Sequence, residues 1–276
     1  MHSALVAKNL AFVGGLYCRL YAEAPDGWAA DNLEGDWCAG LRFFFDHAFM
    51  QNRPVETSER LRNLTVQTLE RQLFADRDSE EAYQFLQQTA RRDRFDSLLP
   101  PEEAQATDGY KSNAQLNNKR DRQMVRGALA YVAHSPNQRN IYEVIISQLR
   151  AAGDHLERLR STDRFLRTFH GVGDKIAPFI IQDVSLLNRQ TNLIPPNLSA
   201  DAYRFAFPVD TLIRQIAPHL GYEGMQDEDD RIKDYFIDLS LKNGLYPPLC
   251  AAALWYLAYH STEILVEHCI KTATLS

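Results

Sequence analysis

The sequence predicts an all-α protein, and two observations carry that reading. Apolar residues recur at helical spacing: Leu61, Leu64, Leu69 and Leu73, then Ile141, Val144, Ile145 and Leu149, then Leu156, Leu159 and Phe165. A period near 3.6 gathers such residues on one helix face, where they can be buried together. Conversely, no run alternates apolar and polar residues as a half-buried strand does, and no Asn-Gly or Asp-Gly pair joins two such runs. Asp26-Gly27 and Asp108-Gly109 read as loop punctuation.

Breaks in the pattern divide the chain in order. An N-terminal segment, apolar in patches, runs to a break at Pro25–Gly35. The aromatic cluster Trp37, Phe43, Phe44, Phe45 and Phe49 follows and reads as core, with Asp46 and His47 among it. A break at Asn52–Thr57 precedes the leucine series, and another at Pro100–Gly109 precedes the helical segments from Lys119 onward. The largest break, Asn188–Asp201 (NRQTNLIPPNLSAD), holds paired prolines and polar residues. Loops of that length in compact domains often carry function. Asp227–Asp230 marks an exposed connection or the first turn of a helix.

Composition bounds the function. A chain of 276 residues sits at the upper end of one domain or the lower end of two. Four cysteines (Cys18, Cys38, Cys250, Cys269) show neither CxxC nor metal-finger spacing, which predicts free thiols in a reducing cytoplasm and no zinc site. No metal or cofactor is expected. The longest apolar stretch, Leu249–Tyr259, is too short to cross a bilayer. Lys8 and Asn9 interrupt the N-terminal apolar patches with no clear cleavage site after them, against a signal peptide. The expectation is a cytoplasmic protein with no membrane partner. A net charge of −6 and a pI near 5.8 argue against coating nucleic acid by bulk charge. A site-specific nucleic-acid enzyme stays open, because only its contacting surface needs to be basic.

The most informative segment is Asp154–Val184, DHLERLRSTDRFLRTFHGVGDKIAPFIIQDV. An amphipathic helix ends near Phe169, a tight turn His170-Gly171-Val172-Gly173 follows, and a second helix starts around Asp174. Glycine accepts positive φ and, lacking Cβ, lets a ligand approach the backbone. Amides at the start of the second helix favour an anion such as a phosphate. A glycine-rich turn between helices can equally be a sharp corner in the core.

The wider string narrows this. FHGVGDKIA (169–177) followed by FPVDTLIRQIAPHLG (207–221) resembles the signature of the helix-hairpin-helix DNA glycosylases, whose hairpin reads approximately L-P-G-V-G-x-K-x-A. Gly171, Val172 and Gly173 match that hairpin. Lys175 falls on the position of the Schiff-base lysine of bifunctional members, Ala177 on a small packing residue, and Pro208, Val209, Asp210 and Thr211 on the catalytic aspartate element. Three features depart from the pattern. His170 replaces the hairpin proline, the segment between Lys175 and Asp210 is longer than usual, and the four-cysteine iron–sulfur motif of some relatives is absent, placing the chain in a cluster-free branch.

The resemblance implies a chemistry. Breaking an N-glycosidic bond develops positive charge on deoxyribose, which a fixed carboxylate at Asp210 stabilises. A lysine amine attacking C1′ displaces the base and forms an imine that permits strand cleavage. The target base must leave the stack, so a pocket with aromatic walls is expected. The resemblance puts Phe179 near it, with Trp37, Trp255 and Tyr259 as further candidates, and makes His170, Gly171, Val172 and Gly173 the DNA-binding turn. Plainer readings stand beside these. Asp210 suits a helix N-cap, Lys175 a solvated surface lysine or a phosphate contact, and His170 a surface residue. Arg91, Arg92 and Arg94, and Lys119, Arg120, Arg122 and Arg126, are either solvated faces or, for the second group, DNA-backbone contacts.

The implied architecture is two helical lobes. One spans 77–186 and ends in the hairpin; the other combines 1–76 with 187–276 and carries Asp210. The expected partner is double-stranded DNA with a modified base, met by a monomer. The substrate is either a damaged base or a hypermodified phage base removed in antiviral defence. The rivals are a monofunctional glycosylase, with Asp210 activating water, and a non-catalytic hairpin module that binds DNA.

Overall fold

The computed structural model describes residues 2–21, 33–51, 53–101, 116, 118–225 and 228–260. Among the described residues there are twelve α-helices, joined by short 3₁₀ and π turns, and no strand. In chain order they are α1 (His2–Tyr21), α2 (Trp37–Ala48), α3 (Val55–Leu69), α4 (Ser79–Arg91), α5 (Lys119–His134), α6 (Ile141–Arg150), α7 (His155–Leu166), α8 (Ile176–Leu187), α9 (Ala200–Tyr203), α10 (Thr211–Ile216), α11 (Asp229–Lys242) and α12 (Pro247–Tyr259). The all-α expectation is met. Most of the breaks at Pro25–Gly35 and Pro100–Gly109 lies outside the described residues, as do Asp26-Gly27, Asp108-Gly109 and Cys269.

The chain forms two compact units: Met1–Ala29, Gly153–Leu159 and Pro178–Ser276 make the first, Ala30–Ala152 and Arg160–Ala177 the second. The sequence reading groups 1–76 with 187–276, whereas residues 30–76 fall in the second unit with most of 77–186. The reason lies in α2, which packs against α6, α3 and α5. Its consecutive Phe43, Phe44 and Phe45 are all fully buried.

In the first unit α12 is the central helix. Leu249 and the run Cys250–Leu254 are buried on every side, and α1, α10 and α11 pack against it. Pro247 and Pro248 occupy its first turn, where a missing amide costs no helical hydrogen bond. Gly14 lets the α1 backbone meet α12, since a Cβ there would sit 2.7 Å from Leu249 Cγ. No helix among the described residues is long and apolar enough to cross a membrane.

In the second unit polar caps fix the helix starts. Asp36 caps α2, Asp78 closes a capping box with Glu81 on α4, and Asn118 caps α5. Asn140 caps α6 through the amides of Tyr142 and Glu143, at 3.0 and 3.3 Å. Its amide also donates to the carbonyls of Leu33 and Asp36.

Candidate functional site

The last part of α7, from Arg160, lies in the second unit and leads into the 167–175 turn. Two side chains anchor that turn from inside. Phe169 is buried against Phe44, Tyr131 and Phe165, with ring centroids 4.8, 5.4 and 5.5 Å away. Val172 is buried as well, and its amide donates to the Phe169 carbonyl at 3.1 Å. Between them His170 is exposed. Gly171 has φ +85°, the left-handed region that glycine enters without strain. Gly173 differs: its φ is not positive, and a Cβ there would meet open space. The positive-φ part of the argument therefore holds for Gly171 alone.

Two side chains far away in sequence fix the turn from outside. The Gly171 carbonyl accepts from Gln51 Nε2 at 3.2 Å and from Arg120 at 3.3 Å. Gln51 also donates to the Ala48 carbonyl. The neighbouring Arg53 forms an ion pair with the buried Asp121 of α5 at 2.5 Å, which ties the 49–53 loop to the helix that carries Arg120. Of the second basic group, Arg120 thus sits at the turn. Arg122 and Arg126 are engaged elsewhere, with Asp96 and Asp93.

Lys175 is half-buried and immediately precedes α8. The helical turn begins earlier, because the Ala177 amide already bonds to the Gly173 carbonyl at 3.1 Å. Pro178 has no amide to offer the Asp174 carbonyl, so unbroken helix starts only at Ile176. Asp174 pairs with Arg167, which also binds the buried Asp163 at 2.6 Å. These partners hold the Arg167 guanidinium above its usual pKa, the Asp163 hydrogen bond most strongly.

Asp210 belongs to the first unit. It is buried and is the N-cap of α10, with Oδ1 accepting from the Ile213 amide at 3.0 Å. The preceding Phe207 and Val209 are buried too, so the element that carries the carboxylate is rigidly seated. The plain capping role is present in full. The Asn188–Asp201 segment before it is ordered around two tyrosines. Tyr203 donates to the Pro195 carbonyl and accepts from the Leu198 amide, and Tyr246 donates to the Ile194 carbonyl. Burial raises the pKa of both hydroxyls.

Of the four aromatic candidates, three meet. Phe179 on α8 lies 6.2 Å from Trp255 on α12, and Trp255 stacks on Tyr259 at 5.3 Å with an interplanar angle of 18°. Trp37 does not join them. It lies in the core of the other unit against Phe74 and Tyr83, with its indole N–H donating to the Ser79 carbonyl. The neighbours of the aromatic trio escaped the sequence reading. Asp183, buried on α8, accepts from Tyr17 Oη at 2.6 Å and from Gln182 Nε2 at 2.8 Å, and the Tyr17 ring meets Trp255 edge-on. The signal was a Gln-Asp pair inside the apolar run of α8. Arg120 stood out only as one of a basic group, and Gln51 carried no signal.

Among the described residues, no group of three or more His, Cys, Asp and Glu side chains is placed to hold a metal ion. No protein-family model, curated protein or solved structure matches this chain.

Proposed function

We propose that this chain is a helix-hairpin-helix DNA glycosylase that excises a modified base, with lyase action through a Schiff base on Lys175. The observation that carries the reading is Asp210: a buried carboxylate whose oxygen is held by the Ile213 amide, on the Pro-Val-Asp-Thr element that follows the Gly-Val-Gly-Asp-Lys turn. The turn supports it, being a left-handed Gly171 braced by Gln51 and Arg120 beside an exposed His170. Such a turn suits a phosphate grip that positions DNA without reading its sequence.

In this reading the Lys175 amine attacks C1′, and the base leaves with the electron pair of the glycosidic bond and acquires a proton. Asp210 stabilises the positive charge developing on the sugar, and the proton lost by the amine passes to the departing base. The resulting iminium permits elimination of the 3′ phosphate. The substrate is a damaged base or a hypermodified phage base, in duplex DNA.

The test is incubation with duplexes carrying oxidised, alkylated, mismatched and phage-type modified bases, followed by alkali. Alkali-labile sites on at least one duplex support the reading. Borohydride then traps a covalent DNA adduct through Lys175, whereas excision with no adduct assigns Asp210 to water activation and Lys175 to phosphate contact. No cleavage of any duplex by folded protein leaves a DNA-binding module.

A further inference from the structure

We infer that Gln182 reads the edge of a nucleobase that stacks on Trp255 and Tyr259, through an N–H donor on that base. The inference rests on the glycosylase reading and names what its aromatic trio would hold. Everything it uses lies in one compact unit, on α1, α8 and α12.

Gln182 is 1 % exposed, yet its Oε1 has no hydrogen-bond partner among the described residues. A buried carbonyl-type acceptor left unsatisfied costs free energy, and natural cores rarely hold one without a reason. Turning the amide around does not relieve it. Gln182 Nε2 donates to Asp183 Oδ1 at 2.8 Å, and an exchanged amide would press oxygen against a carboxylate oxygen. Asp183 is in turn fixed by the Tyr17 hydroxyl at 2.6 Å, and Tyr17 packs edge-on against Trp255. The carboxylate thus determines which end of the amide is occupied, and the free end is an acceptor held in place.

The surroundings specify what that acceptor meets. Phe179 precedes Gln182 by three residues on α8, so the two share a helix face. Phe179 faces Trp255, which stacks on Tyr259, and both of the latter are half-exposed. Stacked aromatic faces with one fixed acceptor suit a planar heterocycle presenting N–H. Stacking serves any base, and the acceptor selects those with a donor on the reading edge.

The test is isothermal titration of the full chain with 9-methyladenine, whose only N–H donors are on N6, and with its N6,N6-dimethyl derivative, which has none. Parallel titrations use 1-methylcytosine and its N4,N4-dimethyl derivative. Wild-type protein is expected to favour the N–H-bearing member of at least one pair by about tenfold, the effect of one hydrogen bond to an otherwise unsatisfied buried group. Gln182→Met, checked for native circular dichroism, should abolish that preference while still binding the ring, and Trp255→Ala should weaken both members equally. A preference that persists in Gln182→Met is steric and overturns the inference. So does wild-type binding without preference, or no binding of any of the four, which leaves Oε1 to an interior water. These outcomes are separate from base release on DNA: a glycosylase can fail this titration, and a protein that never cleaves DNA can pass it.

Discussion

At the residue scale, two contrasts separate the roles of single side chains. Asparagine caps helices about as well as aspartate, so Asp210→Asn should leave stability nearly unchanged, while Asp210→Ala should cost about 1 kcal/mol through loss of the bond to the Ile213 amide. Urea denaturation reads both. Gly171 and Gly173 provide a second contrast. Gly171→Ala puts a Cβ at φ +85°, about 3.4 Å from Arg120 Nε, and should destabilise by roughly 1–2 kcal/mol. Gly173→Ala meets open space without positive φ and should stay within about 0.5 kcal/mol, apart from any helix-propensity gain. Equal costs at the two positions would mean that the turn does not depend on the left-handed residue. The sequence motif treats these glycines as equivalent; only the backbone angle distinguishes them.

At the element scale, long-range polar ties hold helices in register. Asn140 caps α6 and satisfies two carbonyls from the segment before α2, and Gly40 leaves room for it, since a Cβ there would lie 2.0 Å from Asn140 Oδ1. Asn140→Ala is expected to cost about 2–4 kcal/mol by removing a cap and orphaning buried groups together. A loss below about 1 kcal/mol in chemical denaturation would show that solvent replaces these bonds. Helix existence was legible in the periodicity of Leu61–Leu73 and Ile141–Leu149, because burying one face is a local property of sequence. Grouping the elements was not. Three phenylalanines in a row mark α2 as buried on several sides, but nothing local says that α6 is its partner. Similarly, Pro178 conceals where α8 begins, and the tyrosines that order the Asn188–Asp201 segment lie at or beyond its end.

At the scale of the whole molecule, buried weak acids set the alkaline limit. Burial pushes the Cys250 thiol up to about 12, with Ser240 partly opposing, and raises Cys38 and Tyr246 in the same direction. A folded-state pKa above the unfolded one means that the folded protein holds the proton more tightly. The stability from Cys250 is therefore complete below about pH 9 and lost as pH rises from 9 toward 12. Melting temperature should fall steeply above pH 9, and Cys250→Ala should make that fall shallower whatever its effect at pH 7. An identical alkaline slope in the variant would remove Cys250 from the explanation. Free thiols were legible from cysteine spacing, and Cys18, Cys38 and Cys250 carry no disulfide. The burial of Cys250, which raises its thiol pKa, was not.

The measurement that bears most directly on the account is release of free base from a modified duplex, by wild type and by Asp210→Asn, each with its stability recorded alongside. Wild type should release base, and the asparagine variant should lose nearly all of that activity while keeping the same unfolding midpoint. Base release by a stable Asp210→Asn protein at the wild-type rate would reduce Asp210 to a helix cap and contradict the proposed chemistry.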